Sequence, residues 1–385
     1  MTTSKILTSE AVPANGNGKI HQAGEWYTFN FHNRVGMRVH RQAGTASLFT
    51  DMFAPFLTDN LEHATLTVRE ALQPLEAGAF GEVHGETEFY YNEQGVQLET
   101  PLVQIFLDED GFHLHGSVEL MVMALPLIDR LMVNQGAAMI HALTVEYKGH
   151  GLAMPAWGGT GKTSTMAKLL KRDGYAFMGD DWAFLSRQGE LLGYAKPMFI
   201  KPYHKPIYPH LFSNTHKPLV PIGLSKQIAR MTTRVHPYIT RYPQLAQLTR
   251  RWSPEHMMVA PQRAFPEARF STQAPLAAAL FVERYVTDSN QPVFEEQSKK
   301  WMIARLIGNF NSELPRQSRV VMTALGAAGL VPIEQTFEEK AAVLDEALGD
   351  KPLFLLRVPK AMTPDQASDV IVEKIEQVLA TAGVV

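Results

Sequence analysis

The sequence predicts an α/β protein, with a mixed-sheet P-loop core over residues 135–385 and a smaller strand-rich domain over 25–134. Three observations carry this. Residues 25–117 alternate short apolar runs with turn residues, at strand rather than helix period. The stretch AMPAWGGTGKTSTMAKLL, residues 153–170, places a glycine-rich turn between a strand and a helix. After a buried strand, APLAAALFVERYV, helical stretches are followed by another strand, KPLFLLRVP, and a last helix.

Composition bounds the rest. A chain of 385 residues with 45% hydrophobic and 19% charged residues has material for a sizeable core, in two ordinary domains or one large one. It has no cysteine, which excludes disulfides, Cys-ligated zinc and a thiol nucleophile, and suits the cytoplasm expected as its location. Residues 1–24 read as a disordered polar tail, since no basic segment precedes an apolar one as in a signal peptide. The most apolar run, VELMVMALPLIDRLMV, is broken by Glu119, Pro126, Asp129 and Arg130 and is too short to span a bilayer. A buried helix over about 118–134 is expected there, and no membrane partner.

Along the amino-terminal domain, FNFHNRVGMRVH, FGEVHGETEFYYNEQGVQLET and VQIFLDEDGFHLHG supply the strands, with turns at Gly95 and Asp110-Gly111. AMIHALTVEYKGHGLAMPAW then reads as a hairpin turning at Gly149 to Gly151. Met166, Leu169 and Leu170 share one face of a helix over Thr163 to Arg172, which Gly174 ends. YAFM and WAFL form strands around Gly179-Asp180-Asp181. Short helices are expected near 224–234 and 243–252, and longer ones at about 295–309, 316–328 and 337–348. Thr363 caps the last helix, with Pro364 at its first position.

The net charge of −3 hides an asymmetry. The proline-rich segment 191–254 contains ten Lys and Arg and no Asp or Glu, so the remainder carries 26 Lys+Arg against 39 Asp+Glu, a charge of −13. A block of one sign marks an electrostatic partner, here an anionic acceptor, or a solvated basic loop. Tyr203, Tyr208, Phe212, Tyr238, Tyr242 and Trp252 lie among these cations, as on a nucleic-acid surface or as anchors of a long loop.

The glycine-rich turn fits G-x-x-x-x-G-K-[ST] through Gly158, Gly159, Thr160, Gly161, Lys162, Thr163 and the adjoining Ser164. In such a loop backbone N–H groups face phosphate oxygens, the lysine adds a point charge and the hydroxyl reaches Mg²⁺. Ala156 stands in the first glycine slot, which a methyl tolerates if the residue is extended, because only positive φ demands glycine. From Lys162 the helix runs out about 15 Å, at roughly 1.5 Å per residue. The strand from Tyr175 returns about the same distance, at roughly 3.3 Å per residue, so Asp180 and Asp181 come back level with the loop. Two carboxylates beside bound phosphates divide into a Mg²⁺ ligand and a proton acceptor. With the hairpin turn near 149 or 150, His141 lies opposite Trp157 or Gly158, at the mouth of the loop.

On these residues the chain resembles the HPr kinase/phosphorylase family, which shares a fold with phosphoenolpyruvate carboxykinase. The match covers about residues 138–186: a histidine on the first hairpin strand, a loop ending in Gly-Lys-Thr, and Asp-Asp after an apolar strand. The resemblance implies an ATP-dependent kinase in which Lys162 contacts phosphates and Thr163 and Asp180 hold Mg²⁺. It implies Asp181 as the base toward an acceptor hydroxyl, supported by His141. Related kinases often form rings, so a homo-oligomer is an expectation by analogy. The chain departs from the family at Ala156, and GYAKPMFIKPYHKPIYPHLF replaces its second glycine-rich signature, which argues against HPr itself as acceptor. The family's second acidic metal ligand has no evident counterpart.

The expected acceptor is a Ser or Thr hydroxyl of a peptide or protein, or an anionic small molecule. Two alternatives stay open: a shikimate-kinase-like enzyme, and a nucleotide-gated binding or regulatory protein with nucleic acid as a candidate partner. His204, His210 and His216 are too widely spaced for zinc. Arg263 and Arg269 are exposed loop arginines or additional phosphate contacts, and Met166, Met198, Met257 and Met258 read as core fillers.

Overall fold

The structure, a computed structural model, describes residues 24–76, 78–200, 204–212, 257–289 and 291–384. The polar tail before Gly24, the helices expected near 224–234 and 243–252, His216 and eight of the ten cations of the basic segment lie outside these residues.

The architecture is mixed α+β, with a strand-rich amino-terminal region and a larger sheet-and-helix core. The first region contains β1 (Trp26–Phe31), β2 (Val35–His40), β3 (Leu66–Arg69), β4 (Ala79–Val83), β5 (Thr87–Tyr91), β6 (Gly95–Glu99), β7 (Leu102–Asp108) and β8 (Gly111–Gly116). They form an eight-stranded sheet in the order β1-β2-β3-β8-β7-β6-β5-β4, antiparallel except that β3 runs parallel to β2 and β8. Alternation explains the pairing: Phe29, Phe31, Met37, Val39, Leu66 and Val68 are fully buried. A short helix, α1 (Ala46–Met52), adds Phe49 to that core.

The apolar run forms α2 (Leu120–Asn134), a buried helix as expected. Among the described residues no helix is long and apolar enough to cross a membrane. Instead α2 packs between the first sheet and the core, and one continuous apolar cluster joins Phe29, Phe53, Leu127, Met139 and Phe184. The boundary placed by sequence at residue 134 therefore crosses a shared core. Tyr194 seals it, stacking on Phe53 at 5.9 Å and donating its hydroxyl to the Met52 carbonyl at 2.8 Å.

The core strands are β9 (Ala137–Tyr147), β10 (His150–Pro155), β11 (Tyr175–Gly179), β12 (Trp182–Ser186) and β13 (Glu190–Gly193). Two strands, β14 (Met198–Ile200) and β15 (Met257–Val259), form a ribbon of their own. Then follow β16 (Arg269–Phe270), β17 (Gln273–Tyr285), β18 (Val293–Glu296) and β19 (Leu353–Pro359). Pairings β9–β12–β13–β17–β10–β9 close on themselves, while β11 extends along the far half of β9. The helices are α3 (Lys162–Leu169), α4 (Pro261–Ala264), α5 (Lys299–Glu313), α6 (Arg316–Ala327), α7 (Ile333–Leu348) and α8 (Pro364–Thr381). Thr363 and Gln366 form the full capping box at the start of α8.

Four boundaries differ from expectation, among them that of the helix expected at 337–348, which starts at Ile333. The hairpin turns on two residues, Lys148 and Gly149, at φ 48° and 87°, so Ala142 pairs with Pro155 and His141 falls level with Ala156 rather than Trp157 or Gly158. The helix expected at 295–309 runs Lys299–Glu313, because Val293–Glu296 pairs with β19 and Ser298 caps the helix by accepting from the Trp301 amide. The helix α3 ends at Leu169, before Arg172.

The chain divides into two compact units, residues 1–196 with 269–385, and residues 197–268. In the second, Tyr208 is buried and packs edge-on against Phe265 at 5.4 Å, and His210 Nε2 lies 2.9 Å from the Arg263 carbonyl. Met166 and Met198 are core residues, whereas Met258 is exposed.

Candidate functional site

The strand β10 carries the chain between β9 and β17 to Pro155, and Ala156 continues the strand through a parallel bridge to Val282. Ala156 is fully buried, and positive φ values fall at Gly159 (77°) and Gly161 (107°). An extended first position explains the alanine there: its methyl fills the sheet's interior and the two sharp turns come later. The Thr160 hydroxyl donates to the Trp157 carbonyl at 3.0 Å and pins the loop, and Gly161 caps α3. Lys162, Thr163 and Ser164 form the first turn of that helix.

Level with this loop, β11 and β12 are one run along β9, interrupted at Asp180-Asp181, where the Ala142 amide donates to the Asp181 carbonyl at 2.9 Å. Both carboxylates therefore reach the loop, as the helix and strand lengths predict. Thr163 is within hydrogen-bonding reach of Asp180, while Asp180 Oδ1 is buried with no hydrogen-bond partner. Burial, reinforced by the Asp181 charge and opposed by Lys162 and Lys196, pushes the Asp180 carboxyl up to about 7. Asp181 goes the other way. Burial alone would raise it, but Lys196 and the neighbouring His141 outweigh burial and hold it well below the usual carboxylate range. Lys196 Nζ lies 2.7 Å from Asp181 Oδ2, and the lysine is only 4% exposed.

His141, on β9, is buried and joins the two sides of the site. Its Nε2 is 3.5 Å from Lys162 Nζ and 3.5 Å from Asp181 Oδ1. Lys162 also donates to the Ala156 carbonyl at 2.8 Å. Burial lowers the Lys162 ammonium from its ordinary value, against the opposing charges of Asp181, Asp180 and Glu313.

The helix α5 supplies a third wall that sequence reasoning missed. Asn309, fully buried, donates through Nδ2 to the His141 carbonyl at 3.0 Å, and its Oδ1 is 3.4 Å from His141 Nδ1. One turn on, Glu313 Oε1 accepts from the Gly158 amide at 3.1 Å. The available signal was a helical stripe of Met302, Leu306, Asn309 and Glu313, apolar at first and then polar. Lys196 was counted among the ten cations of the basic segment but was not placed at the site.

Arg269 donates to the Gly174 carbonyl at 2.9 Å, at the opposite end of β11 from Asp180. Arg263, His204 and His210 belong to the second compact unit. Among the described residues, no group of three or more His, Asp or Glu is arranged to hold a metal by itself. A cation beside Asp180 and Thr163 would draw its remaining ligands from water and a bound anion, the usual habit of Mg²⁺. The buried, unpartnered Asp180 Oδ1 fits such an ion.

No protein-family model matches the chain, and no curated protein matches it in sequence.

Proposed function

We propose that this chain is an ATP-dependent kinase with a core of the HPr kinase/phosphoenolpyruvate carboxykinase type, transferring a γ-phosphoryl group to a hydroxyl. The carrying observation is the convergence of Lys162 and Asp181 on His141 Nε2, each at 3.5 Å, beside a strand–glycine loop–helix. The loop amides from Gly158 to Ser164 and the Lys162 ammonium would hold the triphosphate. Mg²⁺, held by Thr163 and Asp180, would neutralise charge on the phosphate oxygens. Asp181 would receive the acceptor's hydroxyl proton as the new oxygen–phosphorus bond forms. The bond to the bridging oxygen breaks in the same in-line step, and ADP leaves with the electron pair. A carboxylate so firmly ionised is a weak base, so its main work is to orient the hydroxyl, which suffices for a loose transition state.

The acceptor on this reading is a Ser or Thr hydroxyl in a peptide or protein, or a small anion, drawn by the basic 191–254 segment. That segment's ten cations also support a second reading, a nucleotide-gated binding protein. Labelled ATP incubated with protein and lysate separates the two. Lys162-dependent label on an acceptor supports the kinase, and release of phosphate with no labelled acceptor supports the binding protein. Lys162→Ala should lose Mg-ATP binding by calorimetry, and a variant that binds as well as the parent would remove the loop from the proposal.

A further inference from the structure

We infer that Asn309 is a positioning residue that fixes the tautomer of His141, and through it the direction of the Lys162 ammonium. The inference rests on the kinase reading for its catalytic consequence, but its geometry stands alone. A backbone carbonyl cannot donate, so the group 3.0 Å from the His141 oxygen must be the Asn309 amide nitrogen. That assigns the other terminal atom of Asn309 as oxygen, 3.4 Å from His141 Nδ1. An amide oxygen only accepts, so the ring hydrogen of a neutral imidazole belongs on Nδ1.

The consequence falls on Nε2. It carries the lone pair, and it faces the Lys162 ammonium at 3.5 Å. Lys162 thus has two acceptors, the Ala156 carbonyl and the imidazole, which together aim the ammonium across the loop. The same Nε2 lies 3.5 Å from Asp181 Oδ1, so a proton reaching the ring arrives on the nitrogen that faces the carboxylate. With the opposite tautomer, the Nε2–H would face the Asp181 carboxylate but also the Lys162 ammonium that it repels, and Nδ1 would meet Asn309 Oδ1 lone pair to lone pair. Asn309 is suited to this because α5 holds it fully buried and its two terminal atoms are both engaged on one residue.

The test reads the ring directly. Long-range proton–nitrogen correlation spectra of ¹⁵N-histidine-labelled protein, recorded without nucleotide at a pH where imidazole is neutral, report the tautomer. The His141 signal is identified by its loss in His141→Gln. The parent should show the Nδ1–H form, and an Nε2–H form overturns the inference whatever the enzyme does. Asn309→Leu should lose that preference and reduce kcat by about tenfold or more while Mg-ATP affinity changes less than about threefold. An unchanged tautomer, or an unchanged kcat in a protein that transfers phosphate, also overturns it. Should Asn309→Leu fail to fold, Asn309→Asp keeps an acceptor toward Nδ1 and should retain the Nδ1–H form. Failure of the kinase reading shows up separately, as absence of transfer in the parent with the Nδ1–H tautomer intact.

Discussion

The Gly158 amide donates to Glu313 Oε1 at 3.1 Å, so a carboxylate from the end of α5 sits on the glycine-rich loop from 155 positions away. On the proposed reading this is where a phosphate oxygen approaches, and like charges compete for one donor. Glu313→Gln keeps an acceptor and removes the charge. Charged acceptors hold an N–H more firmly than neutral ones by about 1 kcal/mol, so pyrophosphate or metal-free ADP should bind about fivefold more tightly to the variant. Calorimetry reads this, and equal or weaker binding would show that Glu313 does not compete.

The neighbouring aspartates should separate in their effects. Asp180 has a buried oxygen without a partner, and Asp181 is held by Lys196 and His141. Asp180→Asn should raise the Mg²⁺ concentration needed for half-maximal transfer, with kcat partly restored at high Mg²⁺. Asp181→Asn should keep Mg-ATP affinity and lose transfer at the chemical step. It also removes the Lys196–Asp181 ion pair, so its melting temperature should fall below that of Asp180→Asn. Equal metal defects in the two variants would refute the division of roles.

Which parts of this were legible in sequence follows from how local their causes are. The loop was legible because Gly158, Gly159, Gly161, Lys162 and Thr163 act through near neighbours in the chain, and the return of Asp180 and Asp181 needed only the lengths of one helix and one strand. His141 was placed on the correct strand but one or two positions out in pairing. Lys148, a non-glycine residue, accepts positive φ there and shortens the turn. Lys196, Asn309 and Glu313 were not legible as site residues. Lys196 reaches Asp181 only through the register of β12 on β13, with Ala183 opposite Gly193. Asn309 and Glu313 arrive through packing of α5 against β9, and the Ser298 cap carries that helix four residues past the end expected from periodicity.

Acid should destabilise the contact between the amino-terminal sheet and the core through His32. Its Nε2 lies 3.0 Å from the Gly193 carbonyl, and its ring meets Phe56 and Phe184 edge-on. Burial, aided by Arg34 and opposed by the Gly193 bond, lowers its pKa from 6.5 to about 4. Between these values the unfolded chain binds more protons, so stability present above the unfolded value is lost as pH falls toward the folded one. The loss from pH 7.5 to 5 amounts to about 2 kcal/mol. Denaturant unfolding at the two pH values should show it, and His32→Gln, which can still donate to Gly193, should remove that share of the slope. A variant with the parent's slope would clear His32 of the effect.

A buried ion pair joins α2 and α7. Lys340 Nζ lies 2.7 Å from Asp129 Oδ2, with the side chains 2% and 7% exposed. The ammonium also sits 3.3 Å from the centre of the Phe310 ring, and Asp129 Oδ1 accepts from the Met139 amide at 2.8 Å. Burial lowers the Lys340 ammonium from its ordinary value against the pull of Asp129. Removing one partner of such a pair costs about 3–5 kcal/mol because a charge is left buried. The two single variants should nonetheless differ. Lys340→Met leaves Asp129 with the Met139 N–H as a partner. Asp129→Leu strands both a lysine and an amide, so it should be the more damaging. Joining the two substitutions removes the orphaned charge, and the double variant should be more stable than Asp129→Leu alone. Strict additivity of the two losses in denaturant unfolding would mean that the pair is not coupled.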